Sequence, residues 1–136
     1  MNLFVDSGAW QALYAENDKY HTMAAEAFRE LAKRKVTFYV TDYVFDEAIT
    51  LLLAQVGYDK ARRCGDWILS SPRVRFVRVN LGQWNDAWAM FKQYDDRNFS
   101  FTDCTSFVMM RQLKLLDAFT FDRHFEQMGF RLWPRS

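Results

Sequence analysis

Short runs rich in apolar and β-branched residues alternate along the chain with longer stretches in which apolar residues recur every three or four positions. Each short run predicts a strand, and there are five of them: LFV (3–5), VTFYV (36–40), VRFVRV (74–79), AFTF (118–121) and FRLW (130–133). The segment DSG after the first run predicts a turn. The fifth strand is expected at a sheet edge because Pro134 follows it.

The longer stretches have the period of helices. They predict helices at 21–34, 41–57, 58–71, 81–94 and in the segment SFTDCTSFVMMR (100–111). The polar loop DDRNFS leads into the last of these. Parallel strands need helical crossovers, so the alternation indicates an α/β fold with a mostly parallel, four- to five-stranded sheet covered on both faces.

Four acidic residues are expected at one edge of this sheet. Asp6 and Asp122 follow the first and fourth strands, Asp103 opens the helix that leads into the fourth strand, and Glu47 lies about one turn into the helix after the second strand. Ligands of such sheets bind beyond the carboxyl ends of the strands. Four carboxylates there repel one another unless a cation lies among them, and hard oxygen ligands suit Mg²⁺ or Mn²⁺.

Two of the acids have an ordinary structural role as an alternative. Asp103 follows Ser100 and Thr102 and can cap its helix, where it meets the positive end of the helix dipole. Asp6 can form a turn in VDSG by bonding its own backbone, which is compatible with metal binding. The presence of the other acids at the same edge favours the metal role for both.

The other two acids compete with neighbouring acids. Adjacent helical residues point about 100° apart, so only one of Asp46 and Glu47 can face the site. The apolar positions that follow favour Glu47 and leave Asp46 to solvent. Asp122 has three surface acids as alternatives: Asp95, Asp96 and Asp117.

The composition restricts the class of protein. The 136 residues suit one domain, 1–136, and 13 Phe, 6 Tyr and 5 Trp favour an ordered core over disorder. A net charge of +1 gives no bulk signal for nucleic-acid binding, so any RNA contacts depend on local clusters. Two separated cysteines, no leader and no apolar run of membrane length indicate a reduced, cytoplasmic protein.

The four acidic segments together resemble the motifs of PIN-domain ribonucleases, and their order and separations span nearly the whole chain. The segments are NLFVDSGAW with Asp6, TDYVFDEAITLL with Glu47, SFTDCTSFVMMR with Asp103 and AFTFDRHFEQMGF with Asp122. Within this family the chain is similar to the small VapC-type toxins of bacterial and archaeal toxin–antitoxin pairs. The resemblance implies a PIN-like three-layer α/β/α sandwich formed by a single PIN domain.

The resemblance also implies an activity and partners. It implies a metal-dependent endonuclease that cleaves single-stranded or structured RNA, a small antitoxin protein that keeps the toxin inactive, and a homodimer. Ser7 and Thr102 would support the acids by hydrogen bonds. The carboxylates that would hold Mg²⁺ or Mn²⁺ and orient the attacking water are those of Asp6, Glu47, Asp103 and Asp122.

Other residues near the predicted site receive weaker assignments. Arg97 and Arg123 lie in loops at the same rim and are candidates for RNA contacts. His124 could act as a general base beside Asp122, but it is assigned to surface or packing, because a lone histidine after a strand more often has that role and metal-bound water needs no base. The aromatic residues of the helix at 81–94 are assigned to the core, with a partner-binding surface as the alternative.

Other function classes are weighed against the ribonuclease. A phosphoacceptor domain of the response-regulator type also places acids around Mg²⁺, but it needs an acid pair after the first strand and a lysine after a late strand, where this chain has DSGA and DRHF. Two alternatives keep the PIN fold: a nuclease in RNA processing without an antitoxin, and a non-catalytic RNA-binding module. The presence of all four acids argues against the module.

Overall fold

Five short strands form one parallel sheet in the computed structural model, which describes residues 1–135. The order across the sheet is β3-β2-β1-β4-β5, and every neighbouring pair is parallel. The prediction of an α/β fold with a mostly parallel sheet is confirmed. The strands are β1 (Asn2–Val5), β2 (Thr37–Thr41), β3 (Val74–Val77), β4 (Asp117–Phe119) and β5 (Arg131–Trp133).

Helices connect the strands and follow them in the chain. None of the helices within residues 1–135 combines the length and the apolar character needed to cross a membrane. The helices are α1 (Ser7–Tyr14), α2 (His21–Ala32), α3 (Asp42–Val56), α4 (Tyr58–Ser70), α5 (Leu81–Gln93), α6 (Phe101–Gln112) and α7 (His124–Gln127).

The strand order places these helices on both faces of the sheet. From β1 the chain moves through β2 to β3 on one side, and it then returns past β1 to β4 and β5 on the other. Right-handed crossovers that run in opposite directions put their helices on opposite faces. Helices α1 to α4 therefore cover one face, and α5, packed on α6, covers the other with α7. The result is the three-layer α/β/α sandwich.

The central strand β1 shows why a short apolar run forms a buried strand. Leu3, Phe4 and Val5 are each at most 1% exposed. A strand covered on both faces needs a continuous apolar run, because no position faces solvent. Phe4 pairs with Tyr39 of β2 and with Ala118 of β4, so the carboxyl end of β1 lies between those of its two neighbours.

Two helices, α1 and α7, were not predicted from the sequence. The segment DSG predicts only a turn, but α1 begins inside it, and the carbonyl of Asp6 accepts hydrogen bonds from the N–H groups of Ala9 and Trp10. Both of these residues are buried, so tertiary packing stabilises a helix that local turn residues conceal. β4 also differs from its prediction, since it ends at Phe119, and α7 follows as a single turn.

Candidate active site

The four predicted acids lie at the carboxyl edge of the sheet, around the point where the strand order reverses. β1 neighbours both β2 and β4, and open parallel sheets bind ligands at such a reversal. Asp6 directly follows β1, and Asp122 follows β4 after a short connection. Glu47 lies in the second turn of α3 and Asp103 in the first turn of α6. The fold therefore brings together acids that are far apart in the sequence.

Asp6 is the most deeply placed of the four. It is 5% exposed, and its Oδ2 accepts a hydrogen bond of 3.0 Å from the hydroxyl of Thr120. Burial, followed by the charge of Asp103, raises the pKa of Asp6 to about 7, and the charge of Glu47 adds to the rise. Ionisation of this carboxyl at neutral pH is therefore costly unless a positive charge lies nearby.

Asp103 caps its helix and also faces the other acids. The Ser100 hydroxyl accepts a hydrogen bond of 2.9 Å from the Asp103 N–H, and Asp103 Oδ2 accepts one of 3.0 Å from the Ser100 N–H. Burial raises the pKa of Asp103 to about 6, and the charges of Asp122 and Glu47 contribute to the rise. Capping and a place in the acid cluster are thus compatible in one side chain.

Glu47 is held in place by α1, one of the two helices that were not predicted from the sequence. Its Oε1 accepts a short hydrogen bond from the hydroxyl of Ser7, the first residue of α1. Ser7 is buried, whereas Glu47 is half-buried. Asp46 is exposed, as expected for the neighbour that points to solvent. The α1–α3 contact therefore orients the side chain of Glu47.

Asp122 begins a tight turn that places His124 next to Asp122 and Asp103. Asp122 Oδ1 accepts a hydrogen bond of 2.9 Å from the His124 backbone N–H, and the Asp122 N–H donates one of 3.0 Å to the Thr120 hydroxyl. Nδ1 of His124 lies 3.2 Å from Asp122 Oδ1 and 3.9 Å from Asp103 Oδ2. His124 packs against Phe99, as the sequence predicted, and it also lies beside two of the four acids.

The donor set fits a hard divalent cation. The ligand atoms of Asp103, Asp122 and His124 lie within 4.8 Å of one another, and the charges of Asp6 and Glu47 act on the same group. Within the described residues, no lysine or arginine forms an ion pair with any of the four acids. Carboxylate-rich sites of this kind are typical of Mg²⁺ and Mn²⁺.

The hydroxyl groups that contact the acids are not all the predicted ones. In the described part of the chain, the Thr102 hydroxyl makes no hydrogen bond to the four acids, whereas Ser7, Ser100 and Thr120 do. Thr120 was missed because it lies in a run that predicts a strand. Its only signal in the sequence is its place two residues before Asp122.

The two predicted RNA-contact arginines lie in exposed segments and are engaged with nearby acids. Arg97 Nε lies 3.9 Å from Asp96 Oδ1, and its guanidinium lies over the ring of Tyr94. Arg123 forms an ion pair of 2.9 Å with Glu126. Neither pair is buried, so both guanidinium groups remain accessible from solvent.

An open pocket of about 290 Å³ adjoins the acids. Asp6 and Asp122 line it, together with Lys19, Tyr20 and Phe121. The rings of Tyr20 and Phe121 stack with parallel planes and centroids 4.4 Å apart. The pocket therefore combines carboxylates, one lysine and an aromatic pair within one concave surface.

The aromatic residues of α5 are only partly in the core. Trp84, Trp88 and Phe91 are 38–45% exposed, and Leu81 on the same face is 76% exposed. Trp84 contacts Phe101 at the start of α6 edge to face, with centroids 5.3 Å apart. The assignment of these side chains to the core is therefore wrong for their outer surface.

Comparison with known proteins gives matches over nearly the whole chain. The sequence pattern of the PIN-domain family matches residues 3–131. The chain is 32% identical to the 23S rRNA-specific endonuclease VapC20 from two strains of Mycobacterium tuberculosis, over 94% of this chain and 95% of that protein. The crystal structure of Mycobacterium tuberculosis VapC20, described as a sarcin-ricin loop cleaving toxin, has a TM-score of 0.86 and 30% identity to this chain, and the match covers 94% of this chain and 95% of that one.

Proposed function

Because the chain belongs to the PIN-domain family, we propose that it is a metal-dependent endoribonuclease of the VapC type. The observation that carries the proposal is the group of four acids at the carboxyl edge of the sheet. Burial there raises the pKa of Asp6 to about 7 and that of Asp103 to about 6, and no lysine or arginine of the described chain pairs with them. A divalent cation among these carboxylates would offset their mutual repulsion.

The residues of the chain have separate tasks in this proposal. Thr120 fixes Asp6 through its hydroxyl, and Ser7 fixes Glu47 in the same way. When bound, a cation such as Mg²⁺ or Mn²⁺ neutralises charge on the phosphodiester and lowers the pKa of water, so hydrolysis needs no covalent enzyme intermediate. The carboxylates that would hold the cation and orient the attacking water are those of Asp6, Glu47, Asp103 and Asp122.

A structured RNA loop is the proposed substrate, and the sarcin-ricin loop is the first sequence to test. Bases that are unstacked in a loop bind to aromatic side chains, and the stacked pair of Tyr20 and Phe121 offers such a surface beside Asp6. Lys19 in the same pocket can bind a backbone phosphate. Arg97 and Arg123, whose guanidinium groups are exposed, are the further proposed phosphate contacts.

Cleavage of a labelled RNA tests the proposal. Asp103→Asn keeps a side chain that caps the helix, but it removes a charge from the site, so we expect cleavage with Mg²⁺ or Mn²⁺ to fall about a hundredfold or more. Glu47→Gln is expected to behave alike. Asp46→Asn, one position away and exposed, is the matched control and should cut at the wild-type rate. Circular dichroism verifies the fold, and wild-type rates for the first two variants would refute the mechanism.

The proposed biological role is that of a cytoplasmic toxin with a small antitoxin and a homodimeric state. The exposed face of α5, formed by Leu81, Trp84, Trp88 and Phe91, offers apolar surface that a second copy can cover. Analytical ultracentrifugation of the protein at tens of micromolar, about the range in which a weak interface forms, should show a dimer. A monomer at this concentration would contradict the proposed homodimer.

Co-expression with the product of the adjacent gene should suppress RNA cleavage, whereas undiminished cleavage would favour a nuclease of RNA processing.

A further inference from the structure

The imidazole of His124 has a buried nitrogen without a hydrogen-bond partner. Its Nδ1 atom is inaccessible to solvent and makes no hydrogen bond within residues 1–135. This atom nevertheless lies 3.2 Å from Asp122 Oδ1 and 3.9 Å from Asp103 Oδ2. A buried polar atom without a partner is uncommon and needs an explanation.

A hydrogen bond between the side chains does not provide that explanation. The contact between Nδ1 and Asp122 Oδ1 lacks the angle of a hydrogen bond, and this oxygen already accepts one of 2.9 Å from the His124 backbone N–H. Asp103 Oδ2 likewise accepts one of 3.0 Å from the Ser100 N–H. Two carboxylate oxygens and a ring nitrogen thus meet with no lysine or arginine paired to them in the described chain.

The surroundings fix the ring with Nδ1 towards the acids. Phe99 contacts the imidazole edge to face, with ring centroids 5.1 Å apart. The backbone hydrogen bond from His124 to Asp122 fixes the start of α7 and thereby the root of the side chain. The nitrogen is therefore preorganised, and a preorganised ligand loses little conformational entropy when it binds a metal.

The spacing of the three atoms suits ligands of one ion. In an octahedral site with bonds of about 2.1 Å, neighbouring ligand atoms stand about 3 Å apart and opposite ones about 4 Å apart. The observed separations of 3.2 and 3.9 Å are close to these two values. All three side chains offer ligand atoms within 4.8 Å of one another.

We propose that Nδ1 of His124 is a nitrogen ligand of the divalent cation held by Asp103 and Asp122, and that it favours Mn²⁺ over Mg²⁺. Mg²⁺ is a hard ion that prefers oxygen ligands, whereas imidazole nitrogen suits transition-metal ions better. The inference rests on the proposed function, since it concerns the same site. It adds a residue and a metal preference to that site.

Pulsed electron paramagnetic resonance of bound Mn²⁺ tests the nitrogen ligand directly. The untagged protein has 2 histidines, and Nδ1 of the other one, His21, lies 2.8 Å from the Ala12 carbonyl oxygen. Electron spin-echo modulation of the wild type should show coupling to a directly bound nitrogen. His124→Phe, which keeps a ring against Phe99, should abolish the coupling, and the matched control His21→Phe should retain it.

Metal titration distinguishes a ligand from a structural residue. His124→Phe should weaken Mn²⁺ binding about tenfold or more and Mg²⁺ binding much less, so the ratio of the two Kd values should change. A residue that only supports the fold would weaken both ions alike. His124→Asn, which can supply an oxygen, should bind both ions without nitrogen coupling, and it remains informative if His124→Phe does not fold.

The outcomes separate this inference from the proposed function. The role of His124 is overturned, but the nuclease is not, if Mn²⁺ binds and supports RNA cleavage without nitrogen coupling. The same holds if the coupling survives in His124→Phe. An unchanged ratio of Mn²⁺ to Mg²⁺ affinity overturns this role as well. A wild-type protein that binds neither ion refutes the metal-dependent nuclease itself.

Discussion

The largely buried carboxylates at the two ends of the parallel sheet differ in whether an arginine pairs with them. At the amino end, Asp117 opens β4 and accepts hydrogen bonds of 2.8 and 3.1 Å from the guanidinium of Arg131. At the carboxyl end, Asp103 has no lysine or arginine partner among the described residues. The two side chains are similarly buried, with 14% of Asp117 and 12% of Asp103 exposed. Burial alone therefore does not distinguish the two ends.

The difference lies in where the compensating charge comes from. A desolvated carboxylate is stable when a guanidinium is fixed against it, and Arg131 gives Asp117 such a partner within the chain. The carboxyl-end acids have no guanidinium partner, so burial, together with the charges of the neighbouring acids, raises the pKa values of Asp6 and Asp103. Proteins commonly keep such destabilising groups at functional sites. The comparison contrasts an acid that stabilises the fold with the acids that we propose bind a cation.

The largest change in stability is expected when a divalent cation binds the acids at the carboxyl end of the sheet. A metal that binds only the folded chain stabilises it by about 2.7 kcal/mol at a free concentration of 100 times its Kd. Mn²⁺ added to EDTA-treated protein should therefore raise the melting temperature by several degrees, and Asp6→Asn/Asp103→Asn should abolish this rise. Calorimetry measures both. Asp117→Asn is the control at the opposite end and should keep the full response, whereas an unchanged response in the double variant would place the ion elsewhere.

The next effect is the pH dependence of the metal-free protein. The pKa of Asp6 is raised from 3.8 to about 7 and that of Asp103 from 3.8 to about 6. The folded chain therefore binds more protons than the unfolded chain between these values, and its stability falls as the pH rises through them. The favourable contribution is complete below the unfolded pKa and is lost above about 7.

Urea unfolding in EDTA at pH 5 and pH 8 measures this dependence. Asp6→Asn removes one of the two groups, so we expect the wild type to lose on the order of 2 kcal/mol more than the variant over this range. Saturating Mn²⁺ should oppose the loss, because metal and protons compete for the same oxygens. Parallel pH profiles for wild type and variant would mean that Asp6 ionises in the folded chain without penalty.

The strands and the edge that carries the acids were predictable because they depend on local patterns. A continuous apolar run such as LFV (3–5) is typical of a strand covered on both faces, and the residue that follows it must lie at the carboxyl edge. The same argument placed Asp122, whereas Asp103 was placed by its position at the start of the helix that leads into the fourth strand. Helical periodicity likewise separated the half-buried Glu47 from the exposed Asp46.

What the sequence did not predict depends on contacts between distant residues. α1 was hidden because Ser7 and Gly8 favour a turn, and its stability comes from burial of Trp10 in the core. The Thr120 hydroxyl bonds Asp6 from 114 residues away. His124 looked isolated because the acid on its far side, Asp103, belongs to another helix. No local pattern encodes these pairings.

A smaller effect of opposite sign is expected at the amino end of the sheet. Asp117→Asn leaves Arg131 with a neutral acceptor, and because 56% of the arginine side chain is exposed, we expect a loss of only about 1 kcal/mol in the free energy of unfolding. Asp6→Asn should instead stabilise the metal-free protein at pH 8. Urea unfolding of both variants gives the two signs. If Asp117→Asn impaired RNA cleavage as strongly as Asp103→Asn, the two ends would not differ in function.

The smallest effect is expected at the arginine beside the carboxyl-end acids. Arg123 lies between Asp122 and His124 in the sequence, yet its guanidinium pairs with Glu126 at 2.9 Å and 69% of its side chain is exposed. It does not neutralise the acid cluster, so Arg123→Gln should leave the Mn²⁺ affinity unchanged.

The same substitution tests a contact between Arg123 and one RNA phosphate. Loss of that contact would lower the slope of log K for RNA binding against log salt by about 0.7 to 0.9. Fluorescence anisotropy in the inactive Asp103→Asn background measures this slope. Glu126→Gln, which frees the guanidinium, should strengthen binding slightly, and equal slopes with and without Arg123 would exclude the contact.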